Sequence, residues 1–223
     1  MITTLTNFFS KILSGKLLIN LFTNGNIIIY PTNDWVSYKS ASGTLGQSPS
    51  FQHISTGVAA LGYAILVTGT PPSYGTTEKF RINWDKQLFF SCDCVRLASD
   101  AECISRVQIK ETHAEGALNA KGLGIRIDNY TVFAESYGTQ LKTTEIFTAT
   151  DNKPFQIDII FKPGIAIEYY INKVLKAVHT VAADIPTGES STQGVLLHSI
   201  KNGATGGVNA YSYIFQPKIW QER

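Results

Sequence analysis

One stretch, Ile165 to His179 (Ile-Ala-Ile-Glu-Tyr-Tyr-Ile-Asn-Lys-Val-Leu-Lys-Ala-Val-His), restricts the fold more than any other part of the chain. Ile165, Ile167, Tyr169 and Ile171 alternate with Ala166, Glu168, Tyr170 and Asn172, so a strand here carries the two sets on opposite faces. Asn172-Lys173 reads as a two-residue hairpin turn, and Val174 to Val178 as the return strand. A hairpin of this kind, late in a run of short strands, points to antiparallel sheet.

The rest of the chain repeats the pattern. The spacing predicts strands at Ile27–Tyr30, Trp35–Lys39, Tyr63–Thr68, Lys79–Trp84, Leu88–Cys94, Ser105–Lys110 and Leu123–Ile127. Further strands are predicted at Thr131–Glu135, Leu141–Phe147, Phe155–Phe161, Ile165–Ile171, Val174–Thr180, Val195–Ile200 and Ala210–Trp220. The breaks carry turn chemistry: Thr70 to Gly75 with its two prolines, Asp128-Asn129, Asp151 to Pro154, and Pro163-Gly164. No helical period follows residue 25, which excludes a parallel α/β arrangement, since that needs helices between its strands. The expectation is an all-β, antiparallel two-sheet sandwich spanning 26–223, preceded by a short helical segment at 1–25. Alternation marks the core faces: Phe155, Ile157, Ile159 and Phe161 against Gln156, Asp158 and Ile160; Ile125 and Ile127 against Arg126; Val132 and Ala134 against Thr131, Phe133 and Glu135. The last of these strands is expected to be partly covered on both sides.

A chain of 223 residues, 43% apolar and 16% charged, builds a real core beneath a weakly charged surface. Its net charge of +2 is spread as single lysines and arginines, not gathered into the stripe that nucleic-acid binding requires. Cys92, Cys94 and Cys103 lack the second pair of ligands a zinc site needs. Two readings of them stay open: a bridge from Cys92 or Cys94 to Cys103 in an oxidising compartment, or three unpaired thiols, two of them buried in strands.

Thr3 to Phe22 stands apart. Leu5, Phe8, Phe9, Ile12 and Leu13 follow the spacing of an amphipathic helix, with Thr4 or Thr6 as its cap. No positive charge precedes Lys11, as a signal peptide requires, and Lys11 and Lys16 interrupt any membrane span. Three readings of the helix stay open: it packs on its own domain, it uses Phe8, Phe9, Ile12 and Leu13 to dock on a neighbouring subunit, or, third, it inserts into a membrane.

The order of motifs carries a resemblance. Gly122 to Asp128 (Gly-Leu-Gly-Ile-Arg-Ile-Asp) is followed by Thr131 to Glu135, then Phe155 to Phe161, then Ile167 to Lys176, and a last strand ending Pro217-Lys-Ile-Trp220. From Tyr63 to Trp220 this succession resembles the concanavalin A-like lectin and glucanase superfamily, with its laminin-G-like jelly roll. The Tyr-Ile-Asn-Lys-Val-Leu run at Tyr170–Leu175 is its most recognisable element. Lys173 stands where the family usually has glycine, and a lysine at positive φ carries a modest backbone cost. The resemblance implies a fold that hosts lectins, glycosidases, adhesion modules and viral surface proteins, and it implies no single function.

Glycosidases of that family carry closely spaced carboxylates along one strand. Here Glu111 and Glu115 fall in a loop, and Asp158 and Glu168 are isolated, so the chain is not expected to be an enzyme. His53, His113, His179 and His198 have no metal-ligand spacing and read as surface or hydrogen-bonded sandwich residues. No Gly-x-Ser-x-Gly elbow or phosphate loop occurs, and Gly122 and Gly124 read as strand glycines required by close packing. No cofactor is expected. Asp128, Asn129, Asp151 and Asn152 offer oxygen ligands for calcium, and each is equally a plain turn residue. Trp35, Tyr74 and Tyr137 are the candidate stacking platforms for a sugar. Asn129-Tyr-Thr131 is a glycosylation sequon.

These features lead to the expectation of a non-enzymatic structural protein of a virion or extracellular surface. It would serve assembly, display or host-receptor contact, as a homo-oligomer docked on other subunits. A carbohydrate-binding lectin-like module is the alternative, and a glycoside hydrolase with an unrecognised site the second alternative.

Overall fold

The computed structural model describes residues 25–29, 35–39, 44–48, 51–56, 63–68, 82–97, 102–112, 116–189, 195–203 and 210–222. They form β1 (Gly25–Ile29), β2 (Trp35–Lys39), β3 (Thr44–Ser48), β4 (Phe51–Ser55), β5 (Tyr63–Thr68), β6 (Leu88–Leu97), β7 (Ile104–Lys110) and β8 (Gly122–Asp128). The remaining strands are β9 (Thr131–Tyr137), β10 (Leu141–Thr148), β11 (Phe155–Lys162), β12 (Ala166–Ile171), β13 (Val174–His179), β14 (Val195–Lys201) and β15 (Tyr211–Glu222). A single 3-10 turn, Ala182–Asp184, follows β13. The expected helix bearing Phe8, Phe9, Ile12 and Leu13 lies outside the described residues, as do Tyr74, His113 and Glu115.

The strands make two antiparallel sheets. The eight-stranded sheet runs β13-β12-β11-β6-β15-β4-β3, with β1 also on β15; the seven-stranded sheet runs β10-β9-β8-β7-β14-β5-β2. β15 is long enough to serve two neighbours: Tyr211–Phe215 pairs with β4, and Lys218–Glu222 with β1. The register shifts between Phe215 and Lys218, around Pro217, which has no N–H to give to a ladder.

The core lies between the sheets and follows the alternation. Phe155, Ile157, Ile159 and Phe161 are buried on β11, opposite Cys94, Cys92, Phe90 and Leu88 of β6. Leu123, Ile125 and Ile127 meet them from β8. Trp84 and Phe161 pack edge to face, with centroids 5.6 Å apart at 80°. Each Å² of apolar surface withdrawn contributes about 25 cal/mol.

The turn at the end of β12 is type I′, since Asn172 and Lys173 have φ of 50° and 69°. Asn172 accepts the Gln156 N–H on its Oδ1 at 2.9 Å and donates its own N–H to the Gln156 carbonyl at 2.9 Å, which ties the hairpin tip to β11.

Two differences from the sequence reading have physical causes. The short strands β3, with Gly46, and β4 are mostly polar and carry no alternating apolar pattern, and they form a hairpin in which Ile54 of β4 is buried in the core. Of the strand predicted at Lys79–Trp84, the described part (Ile82 to Trp84) holds one bridge, Asn83 to Glu189, and otherwise contributes buried side chains. Of the two readings of the cysteines, the structure has the unbridged one: Cys92, Cys94 and Cys103 are buried and none is in a disulfide. Cys92 and Cys94 share a face of β6 with sulfurs 3.6 Å apart, and burial, then its neighbour Cys94, pushes the Cys92 thiol up.

Candidate functional site

The functional candidate is the face of the seven-stranded sheet turned away from the core. Because Leu123, Ile125 and Ile127 point inward on β8, Gly122, Gly124, Arg126 and Asp128 point outward. The same parity sends Thr131, Phe133, Glu135 and Tyr137 outward from β9, and Arg106, Gln108 and Lys110 outward from β7. Polar residues on an outer face are ordinary; here several are buried. Gln108 is 0% exposed and Glu135 1%.

Register explains how they meet. Gly124 lies between Gln108 on one side and Glu135 on the other. With no side chain between them, Gln108 Nε2 donates across the glycine to Glu135 Oε2 at 3.2 Å. A Cβ on Gly124 would come within 2.3 Å of the Val107 carbonyl oxygen and 2.7 Å of the Gln108 Cα, so any larger residue would push β7 and β8 apart. One pair along, Gly122 leaves room for Leu118, whose Cδ2 would sit 3.0 Å from an added Cβ. The segment after β7 thus folds back over that end of the face.

Arg126 organises the charges. Its Nε donates to Glu135 Oε1 at 2.9 Å and its Nη1 to Asp128 Oδ2 at 2.9 Å. Its guanidinium lies 4.3 Å from the centre of the Phe133 ring, a cation–π contact with the cross-strand neighbour. Glu135 is therefore used on both oxygens, and its backbone carbonyl accepts the Tyr169 hydroxyl at 2.7 Å from the opposite sheet. That bond anchors the outer face to the core. Gln108 Oε1 and Ser199 Oγ are buried without a hydrogen-bond partner among the described residues. The half-buried rim of the face is formed by Arg126, Asp128, Phe133 and Tyr137.

Such a floor offers a donor (Arg126), an acceptor (Asp128) and aromatic rings (Phe133, Tyr137) within one patch, with Glu135 beneath them as the counter-charge to Arg126. That combination suits a polyhydroxylated ligand, which needs alternating donors and acceptors beside an apolar ring face. Asp128 and Glu135 share one guanidinium, so these two are not a pair of free acids flanking a gap where a glycosidic bond would sit.

Of the expected sugar platforms, Tyr137 stands on this face, two residues along β9 from Glu135. Trp35 opens β2 opposite Thr68, at the far edge of the same sheet. Of the calcium candidates, Asp128 is bound to Arg126. Asn129 (φ 54°) and Asn152 (φ 53°) are turn residues, and Asp151 is exposed beside the second. Asn129 and Asn152 both lean on Arg96, the first accepting from its Nε at 3.4 Å and the second donating to its carbonyl at 3.0 Å. Among the described residues no group of three or more His, Cys, Asp or Glu side chains is placed to hold a metal ion.

Sequence reasoning singled out Tyr137 but not Gln108, Arg126, Phe133 or Glu135. The signal for them was Gly-x-Gly followed by an outward Arg, opposite a strand with Phe and Glu on its polar parity.

The other carboxylates are elsewhere. Glu111 accepts the Trp84 indole N–H at 2.9 Å, and Asp158 and Glu168 lie on the outer face of the eight-stranded sheet. His179 and His198 are buried and hydrogen-bonded, as expected: His179 to Ser136 at 2.7 Å and Thr144 at 3.1 Å, His198 to Ser212 at 2.9 Å. Burial lowers His179 to about 4.

No family model matches the sequence, and no curated protein sequence does. Solved structures do match. A Shewanella oneidensis MR-1 protein of unknown function superposes with a TM-score of 0.58 at 12% identity, covering 94% of each chain. A Bacillus licheniformis β-glucanase gives 0.57 at 12% identity, over 90% of this chain and 99% of its own. The carbohydrate recognition domain of Emp47p gives 0.55 at 10% identity, over 85% and 89%. The chain spans less than half of a matching botulinum neurotoxin serotype D/C binding-domain structure, 43% of its length. The fold is a concanavalin A-like jelly-roll sandwich. No helix among the described residues is long and apolar enough to cross a membrane.

Proposed function

We propose that the chain is a non-enzymatic recognition module that binds a saccharide on the outer face of its seven-stranded sheet. The observation that carries this reading is the network in which Arg126 joins Glu135 and Asp128 beside Phe133, with Tyr137 at its border. A sugar ring stacks on Tyr137, and its hydroxyls exchange hydrogen bonds with Asp128 and Arg126, which Glu135 holds in place from beneath. A carbohydrate recognition domain among the structural neighbours supports the same reading. Against turnover stands the shared guanidinium, which holds both carboxylates in ion pairs.

Glycan-array screening tests this, with the intact protein and Tyr137→Ala side by side, in the presence and absence of a chelator. The expected result is reproducible binding to one saccharide class, weakened about tenfold or more in the variant, a loss of at least ~1.4 kcal/mol. No saccharide bound, or binding indifferent to Tyr137, overturns the site. Product released from a β-glucan by the intact protein overturns the non-enzymatic half of the reading.

A second role, as an assembly or display subunit of a virion or extracellular surface, is favoured by a separate observation: an apolar strip left exposed along one edge of the sandwich. Finding the chain by mass spectrometry among the proteins of purified particles supports that role, and its absence from them removes it.

A further inference from the structure

Six large apolar side chains are exposed among the described residues, and they are not scattered. Val174 (55%), Leu175 (48%), Val178 (44%) and Val181 (54%) lie on β13 or just beyond it, and Ile165 (68%) in the turn leading into β12, its neighbour. The sixth, Leu141, opens β10, the edge strand of the other sheet on the same side of the sandwich, where Thr144 bonds His179 of β13. β13 ends the eight-stranded sheet, so one side of its backbone has no strand beside it among the described residues. Natural edges are blunted by charges and bulges. β13 has one bulge, opposite the Tyr169–Tyr170 step, and Lys176 sits in it.

That bulge has a consequence for the face. Leu175 stands opposite Tyr170 and Val178 opposite Glu168, so both point away from the core although they are three residues apart. An antiparallel copy of the same strand, related by a two-fold axis between Lys176 and Ala177, places Leu175 opposite the partner's Val178. Val174 then faces the partner's His179, and no lysine faces a lysine. The strand is self-complementary, as a two-fold interface requires.

We infer that β13 is a homodimer interface, at which a second copy of this chain extends the eight-stranded sheet edge to edge. The occupant follows from the register, since Leu175 and Val178, both on the outward face, exchange places under the two-fold and pair with each other, while Lys176 faces Ala177. It also follows from the area. Half-exposed aliphatic side chains from both copies withdraw several hundred Å², and with the two edge backbones the total approaches the ~1,200 Å² at the lower limit for specific interfaces. The dimer is therefore concentration-dependent. This inference is independent of saccharide binding, since the Arg126 face belongs to the other sheet.

Sedimentation velocity on the full chain over its soluble concentration range tests it. The expected result is an apparent mass that rises toward twice the monomer. Dimerisation should weaken at least about tenfold in Val178→Lys, which sets a charge opposite Leu175. Leu175→Lys, exposed in the monomer, repeats the test from the other side of the pair, and far-UV circular dichroism identifies a variant that has failed to fold. A protein monomeric at its highest concentration, or a dimer unchanged in a folded Val178→Lys or Leu175→Lys, overturns the inference.

Discussion

Glu135 and Asp158 are both carboxylates buried on the outer face of a sheet, each on a strand with a neighbour on either side, yet they are treated in opposite ways. Glu135 is met by Arg126 on one oxygen and Gln108 on the other. Asp158 accepts from Gln156 at 3.2 Å and from Ser91, and its Oδ2 has no hydrogen-bond partner among the described residues. Burial, and more weakly the charge of Asp93, raise Asp158 to about 7 against the partial help of Ser91, Lys173 and Gln156. Of this pair Glu135 is given a cation and Asp158 is not, although elsewhere on the outer face of the eight-stranded sheet Lys162 meets Glu168. The number of polar residues does not distinguish the two faces. The convergence of one cation, two acids and an aromatic ring at Arg126 does, and the proposed recognition site is placed there for that reason.

The largest effect expected from this contrast is at Asp158. Its folded pKa lies above the unfolded value, so the folded state binds the extra proton between pH ~4 and ~7. Stability from this group is full below pH ~4 and is lost as pH rises through about 7. Asp158→Asn should therefore be more stable than the parent at pH 8, by on the order of 3–4 kcal/mol, in urea denaturation. His179 works against it. Burial holds His179 down at about 4, so its contribution is present above pH ~6.5 and lost as pH falls through about 4. The two slopes oppose one another between pH 4 and 6.5. In Asp158→Asn the His179 slope is unmasked, and stability should climb across that window more steeply than in the parent. An identical pH profile for the two proteins would show that Asp158 titrates normally.

At the other face the expected loss is about 3 kcal/mol for Arg126→Ala, because Glu135 is left buried without its cation. Thermal and urea unfolding check this, and a loss under about 1 kcal/mol would mean that the ion pair is no more than a surface contact. Tyr169→Phe removes the hydroxyl that anchors the Glu135 carbonyl and should cost about 1–2 kcal/mol. The smallest effect is at the hairpin: Lys173→Gly relieves a non-glycine residue at φ 69° and should stabilise by about 0.5–1 kcal/mol. A loss of stability there would mean that the lysine side chain contributes more than its backbone strain removes.

Much of the architecture was legible because burial on one face writes itself as a period of two. β11, β12 and β8 follow that rule, and the Asn172-Lys173 turn was readable from its position between two alternating runs. The hairpin of β3 and β4 was not, because its strands are short and mostly polar and show no alternation of apolar residues. The site was harder still. Alternation gave Glu135 an outward parity, but its burial depends on Gln108 and Arg126 from two other stretches, brought together by a ladder register that leaves Gly124 between them. Nothing in the local sequence around Glu135 encodes that register. Nor does the sequence distinguish Asp158 from Glu135 as a carboxylate on a polar parity; the difference lies in which side chain the neighbouring strand delivers.

The most direct test of the central claim is an amide NMR titration of the intact chain with the saccharide that the array selects. The account predicts shifts gathered on Arg126, Asp128, Phe133, Glu135 and Tyr137 of β8 and β9, saturating together and absent from β11 and β12. Shifts centred on Asp158 and Tyr170 in the eight-stranded sheet, or none at saturating ligand, would contradict it.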